Sequence, residues 1–381
     1  MAKNGVRRSL VSPSPYRSLR GLLGRVATVQ PVVGRILTPL TTAALASALC
    51  LVPLPNASAG AADLKTPRIG DLSRASAFRT ATLTPAAQRR LAATSFWGGP
   101  TTASNGEAVT VFVSNTYPMD PATQRRWADF FASMLHGSEL PLLNAYLMPL
   151  SEVQSYCGEQ ALACYSTNNS TLIAPGDNPA TDTSAEAVVA HEYGHHVAAH
   201  RNNAPWQAVD YGTKRWASYE QVCARTASGE LHPGAETVTQ YAYNPGEAYA
   251  ETYRVLNERR LGLPETPWDI VTTRLYPDAS ALTLVERDVT EPWNADTTST
   301  FRGTSGKRYT FATALDGPLS VKVSAAKKTR VRLQVGTSTA TTTVAGGSRS
   351  TTRTICGSRT LQVRVTRVAG KGGYTLTVAK P

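Results

Sequence analysis

The first 59 residues contain no aspartate or glutamate, although Lys3, Arg7, Arg8, Arg17, Arg20, Arg25 and Arg35 all lie there. An apolar stretch follows from about Ile36 to Leu54, and Ala57-Ser58-Ala59 then has the A-x-A form of a cleavage site. That layout is expected of an export signal spanning 1–59. Pro39, Pro53 and Pro55 and the short apolar core argue against a spanning anchor, and no later run is long and apolar enough to cross a membrane. Paired C-x-x-C cysteines are also missing, which excludes a cysteine-rich zinc site. There is no solenoid-type repeat. No nucleic-acid motif accompanies the basic residues, so no nucleic-acid partner is expected.

Cysteine is scarce, with five in 381 residues, and Cys50 falls in the leader. Cys157, Cys164, Cys223 and Cys356 remain, an even number that in an exported chain points to two disulfides. Cys157 and Cys164 close a short loop and are read as one pair. Cys223 and Cys356 would then tie two domains together.

The formal net charge of +12 is unevenly spread. Residues 60–287 carry 17 Lys and Arg against 23 Asp and Glu, whereas residues 288–381 carry 15 against 4. An acidic body therefore bears a basic C-terminal module. Such a module could hold an exported protein near anionic cell-wall polymers, or could simply provide solubility.

The most informative stretch is Val188-Val189-Ala190-His191-Glu192-Tyr193-Gly194-His195-His196. It contains His-Glu-x-x-His. On a helix, His191 and His195 share one face. Two imidazoles so placed can bind one Zn²⁺, with Glu192 beside them as general base for a water. The bare pattern can arise by chance, so its context matters. Ala185–Ala190 is good helix material. Asp182, Thr183 and Ser184 offer caps, Glu186 completes a capping box with Thr183, and Val188, Val189 and Val197 give an apolar side.

A catalytic zinc needs a third protein ligand. A metzincin would place it six residues after His195, where this chain has Arg201, so that class is excluded. His196 and His200 read as packing or surface residues. Glu247 and Glu251, four apart in Asn244-Pro245-Gly246-Glu247-Ala248-Tyr249-Ala250-Glu251, suit one ligand and one carboxylate that orients a ligating histidine. Glu220, in Trp216–Ala224, is the alternative third ligand.

The rest of the chain gives the frame. Residues 60–105 are rich in Ala, Thr, Ser and Gly and read as a linker or pro-segment, with one helical candidate at Pro85–Thr94. Strands are expected at Ala108–Val113, Leu142–Leu150 and Ser170–Pro175, and helices at Pro121–Leu135, Trp216–Ala227 and Pro245–Leu261. Thr171–Ala174 is the candidate edge strand for pairing with an extended substrate. Tyr309–Phe311, Leu319–Val323, Val331–Val335, Leu361–Val365 and Tyr374–Val378 alternate as strands of a small sandwich.

With these residues in view, the chain resembles gluzincin-type zinc metallopeptidases. His191–Val197, Cys157-Gly158 through Cys164-Tyr165, and Leu172-Ile173 resemble bacterial neutral zinc metallopeptidases. Glu220–Ala224 is similar to that family's downstream acidic segment. Glu247–Glu251 resembles the third-ligand helix of the anthrax lethal factor-like peptidases, where a tyrosine shortly before the ligand assists the transition state. Tyr241 occupies the comparable place, with Tyr243 the alternative. The resemblance covers roughly residues 108–260. More loosely, Gly372–Val378 resembles β-sandwich modules appended to secreted bacterial peptidases.

The resemblance implies an α+β chain, with a zincin-like metallopeptidase domain at 106–287 and a basic all-β sandwich at 288–381. It implies zinc held by His191, His195 and Glu247, with Glu192 and Tyr241 catalytic and Glu251 in support. The expected protein is secreted, extracellular or cell-wall associated, and hydrolyses peptides or proteins. The rival from another class is a catalytically silent wall-binding protein on a peptidase fold.

Overall fold

Ala108–Val113 alternates apolar and polar residues, and in a computed structural model of the chain it lies in a strand with Val109, Val111 and Val113 buried. The structure describes residues 78–80, 84–93, 96–180, 182–336, 341–357 and 359–381. The expected export signal at 1–59 lies outside the described residues.

The architecture is α+β. Six strands form one mixed sheet: β1 (Phe78–Thr80), β2 (Phe96–Thr102), β3 (Ala108–Ser114), β4 (Asn144–Met148), β5 (Ala163–Ser166) and β6 (Thr171–Pro175). Their order is β1-β5-β6-β4-β3-β2. Part of the stretch expected as a linker is thus structured. β2 pairs antiparallel with β3, and Ala87 and Leu91 of helix Pro85–Ala93 pack on Met148, Val153 and Ile173.

The edge-strand expectation is corrected. β6 pairs with β4 on one side and β5 on the other, and all five of its residues are buried. The reason is β5, a four-residue strand at the end of the cysteine loop, too short to show a period-two pattern. The Cys157–Cys164 disulfide, with Cα atoms 5.8 Å apart, joins β5 to helix Leu150–Cys157 and covers that flank.

The motif helix runs Ala185–Ala199. Of the three cap candidates Ser184 is the one used, accepting from the Ala187 amide at 3.0 Å, so the capping box with Thr183 does not form. Thirteen of its residues, Ala185 and Ala187 to Ala198 among them, are buried. A helix so enclosed must be apolar almost all round apart from groups that find partners. It packs on β5 and β6 on one side and on helix Pro245–Leu261 on the other. Burying Val188, Val189 and Val197 contributes about 1.5–3 kcal/mol each.

The second helix, here the glutamate helix, begins as its sequence predicts. Asn244 accepts from the Gly246 amide at 2.9 Å and Pro245 takes the first turn. Two glycines set the approach. A Cβ on Gly246 would lie 2.3 Å from the Val209 carbonyl oxygen, and one on Gly194 would lie 2.9 Å from the Ala250 Cα. The expected helix over Trp216–Ala227 is instead two, Lys214–Tyr219 and Val222–Ala227, because the chain reverses at Gln221 with φ 55°.

Helix Ala279–Thr290 crosses the boundary expected at residue 287. A small ribbon, β7 (Asn202–Asn203) with β8 (Trp206–Gln207), follows the motif helix. Eight further strands begin at Thr297: β9 (Thr297–Gly303), β10 (Lys307–Thr313), β11 (Gly317–Ala325), β12 (Arg330–Val335), β13 (Thr341–Ala345), β14 (Ser348–Ile355), β15 (Arg359–Ala369) and β16 (Tyr374–Lys380). They form two sheets, β10-β15-β12-β13 and β14-β11-β16-β9, around one shared apolar core. The Cys223–Cys356 disulfide joins this sandwich to the body, with Cα atoms 5.4 Å apart. Beside it, the Asp316 amide donates to Ser218 Oγ at 2.8 Å. Both disulfides suit an oxidising compartment. Among the described residues no helix is long and apolar enough to cross a membrane.

Gly194→Ala is expected to force the two helices apart. Overpacking of this kind costs about 1–3 kcal/mol, so both the melting temperature and the bound metal per mole should fall. Unchanged values would show that the helix contact has slack.

Candidate metal centre

The motif helix supplies two imidazoles on one face, and the glutamate helix supplies two carboxylates one turn apart. Their meeting is closely specified. His191 Nε2 lies 3.2 Å from His195 Nε2 and 3.2 Å from Glu247 Oε2. His195 Nε2 lies 3.3 Å from the same Glu247 oxygen. All three side chains are buried. A tetrahedral ion with bonds of about 2.0–2.1 Å needs neighbouring ligand atoms about 3.3 Å apart. The triangle therefore fits such an ion by distance and by donor type, and this buried group could hold a metal ion.

Glu251 fixes the first imidazole. Its Oε1 lies 2.9 Å from His191 Nδ1. Glu251 is ionised, because Arg254 and His191 outweigh its burial and hold its carboxyl down at about 2. An ionised carboxylate only accepts, so Nδ1 donates and a neutral His191 turns a bare Nε2 toward the centre. Without a cation, lone pairs of two nitrogens and a carboxylate oxygen would face one another. In the metal-free protein a proton answers this. Burial works against the charge on His191, but Glu247 and Glu251 more than offset it and push its pKa up to about 10. Glu247 is held well below the usual carboxylate range, the two histidines outweighing its burial.

Arg254 neutralises Glu251 through Nε at 2.9 Å and Nη2 at 2.5 Å, and reaches Glu258 at 2.7 Å. This buried chain anchors the centre along the glutamate helix.

Glu192 sits beside the ligands. Both of its carboxylate oxygens are buried with no hydrogen-bond partner among the described residues. Burial raises its pKa well above the ordinary value, His191 pulls it down, and Glu247 and Glu236 push it further up. A buried, unpaired carboxylate is costly to a fold that gives it no task. Tyr241 is also brought in, its hydroxyl donating to Glu247 Oε2 at 2.7 Å. Tyr243 turns away and packs its ring on His232.

Glu220 is not brought to this group. It caps helix Lys214–Tyr219 in a surface depression shared with Arg225, Glu230 and Asp278, and its carboxylate lies 3.9 Å from Arg225 Nη1. Burial pushes its pKa up to about 7, with Arg225 opposing. His196 is a packed residue, its Nδ1 3.1 Å from the Tyr165 hydroxyl and its Nε2 3.0 Å from the Glu139 carbonyl. His200 is half-buried against it.

Two acids near the centre carry no sequence signal. Asp210 lies on the short helix Ala208–Tyr211 that packs over Gly246, and its Cα would be 3.3 Å from a Cβ there. Burial raises its pKa, His195 lowers it and Glu247 raises it. Glu236 is exposed, yet its charge reaches Glu192 and Tyr241. Neither belongs to a motif. Only the folding of residues 208–237 over the glutamate helix brings them near.

No family model matches the chain, and no curated protein is similar to it. Among solved structures, a de novo designed double-stranded β-helix is 12% identical, covering 22% of this chain and 99% of its own at a TM-score of 0.17. A family GH115 4-O-methyl-α-glucuronidase with specificity for decorated arabinogalactans is 10% identical, covering 51% and 39% at 0.17. The capsular polysaccharide assembling protein CapF from Staphylococcus aureus is 11% identical, covering 71% and 82% at 0.16. Likenesses this slight carry no argument, and the chemistry rests on the geometry above.

Two outcomes are expected. Glu251→Gln should weaken metal binding about 10–100-fold, as loss of an orienting carboxylate does, measured by competition with a chromogenic chelator; unchanged affinity would remove Glu251 from that role. Because His191 keeps its proton up to a pKa of about 10, metal binding at pH 7 should release about one proton. Calorimetry in buffers of different ionisation enthalpy reads that number directly, and zero release would contradict a protonated metal-free centre.

Proposed function

We propose that the chain is a secreted, zinc-dependent endopeptidase of the gluzincin type, with a zincin-like fold built on the six-stranded sheet and the two buried helices. The observation that carries this reading is the triangle of two imidazole nitrogens and one carboxylate oxygen, 3.2–3.3 Å on a side, with Glu192 unpaired beside it. Two nitrogens and one carboxylate oxygen are a donor set that suits zinc and leaves a fourth position open. When bound, such an ion supplies Lewis acidity toward a peptide carbonyl and toward water.

The chain's own residues do the rest. Glu192 takes the proton of the attacking water and returns it to the leaving amine. Its raised pKa supports this, since a carboxylate that holds a proton more readily is the stronger base. Tyr241 is assigned a hydrogen bond to the developing oxyanion. Its position on the Glu247 carboxylate keeps it within reach of the centre. Glu251 and Arg254 keep the His191 ring from rotating. Export is supported by the two disulfides, which persist in oxidising compartments. An intact Glu192 counts against the catalytically silent alternative, for which an unpaired buried carboxylate would be a cost without a return.

Glu192→Gln should keep the metal and the melting temperature and lower casein hydrolysis by about 10²–10⁴-fold. A chelator should abolish wild-type hydrolysis. Full activity in the variant would overturn the general-base assignment. A wild-type protein that holds metal yet leaves casein and other peptides intact would favour the silent alternative.

A further inference from the structure

The sandwich has two outward faces, and they differ. Register places Arg308 of β10 directly opposite Arg364 of β15, and Arg364 directly opposite Gln334 of β12. Arg332 pairs with Thr366, so it lies diagonal to Arg364, about 7–8 Å away by ordinary strand geometry. Arg330 precedes it by two residues on the same side of β12, about 6.6 Å along the strand. All four arginines are exposed. The other outward positions of this sheet are Thr, Gln and Ala, with Val368 at a bulge and no acid among them. Among the described residues none of the four makes an ion pair.

Such an arrangement works against the fold. Like charges directly opposite one another across a strand pair destabilise it. A row of arginines with no counter-charge is better explained by an external one. The outward face of the other sheet carries mostly Ser and Thr around Lys322 and Arg302, two cations on separate strands with no direct pairing between them. Four arginines thus share one outward face, where the other has two cations, and further cations such as Arg349 and Arg353 lie along the β14 edge.

We propose that the outward face of the β10-β15-β12 sheet binds an extended phosphodiester polymer with a polyol backbone. The guanidinium fork matches phosphate oxygens two at a time. The threonines between the arginines, such as Thr310 and Thr366, can hydrogen-bond hydroxyls of the intervening units. The face has no aromatic ring on which nucleobases could stack, as single-stranded nucleic acid requires. It also lacks the apolar anchors of a bilayer-binding surface. Val368, the exposed large apolar side chain on β15, is a single residue at a bulge. This inference does not depend on the peptidase reading.

The test uses the full chain and synthetic poly(glycerol phosphate) as probe. Wild type should bind with an affinity that falls steeply between about 50 and 200 mM salt. The triple variant Arg308→Gln, Arg332→Gln, Arg364→Gln should bind at least about tenfold more weakly and with a shallower salt slope. The double variant Arg302→Gln, Lys322→Gln should stay within about twofold of wild type if the face rather than net charge decides. Melting curves check each variant, and any that melts early is replaced by threonine at the same positions, which suits a strand. The proposal is overturned if wild type does not bind, or if the double variant loses as much as the triple. It is equally overturned if phosphatidylglycerol vesicles or single-stranded DNA bind more tightly than the polymer at equal phosphate.

Discussion

The centre depends on how closely two buried helices can approach. Gly194 gives the motif helix a bare patch, and the Ala250 backbone fills it. At that spacing the two glutamates of one helix straddle one imidazole of the other. Glu247 faces His191 Nε2 at 3.2 Å and Glu251 faces Nδ1 at 2.9 Å. The four-residue spacing of the glutamates therefore matches the width of a single ring. His195, one turn further along, closes the triangle on the same Glu247 oxygen. Side chains with more rotatable bonds than packing allows would not hold such distances. Here both helices are almost wholly enclosed, so rotamer freedom is spent at folding rather than at metal binding.

A dry centre makes charge expensive, since an unpaired buried ion costs several kcal/mol. Each charge is accordingly answered. Arg254 balances Glu251 and Glu258, and the histidines balance Glu247. Glu192, whose two oxygens are unpaired, is instead pushed toward its neutral acid by burial. Polar groups in an otherwise Val- and Tyr-rich core are thus of two kinds. Some belong to a closed network that fixes geometry, whereas the Glu192 carboxylate and the polar atoms of Tyr193, Trp216 and Tyr249 have no partner among the described residues.

Much of the centre is legible in the sequence because its spacing is local. His191 and His195, and Glu247 and Glu251, are each one helical turn apart, and both helices carry their caps in plain sight at Ser184, Asn244 and Pro245. What decides between Glu247 and Glu220 is not local. Glu220 follows a helix that sequence pattern extends to Ala227, yet the chain reverses at Gln221, a residue with no turn signal of its own. Asp210 and Glu236 escape for the same reason, since their nearness to the centre arises from packing over Gly246. In the sheet, β6 reads as a lone strand because β5 is four residues that straddle the end of the Cys157–Cys164 loop. A pure period-two reading also misses β9, β13 and β14, whose Ser and Thr runs show little contrast between their faces. Both sandwich faces emerge only from cross-strand register, which no single strand contains.

The second disulfide protects the chain against the loss of a cut piece in an oxidising environment. Cys223 and Cys356 are 133 positions apart in the chain. The entire glutamate helix lies between them, while His191, Glu192 and His195 lie before both. A protease that cuts any exposed connection between the two cysteines would therefore leave two pieces still covalently joined. The fragment carrying Glu247 could not diffuse away from the fragment carrying the histidines. A nicked molecule would keep all the parts of its centre in one particle, held together as long as the surroundings stay oxidising.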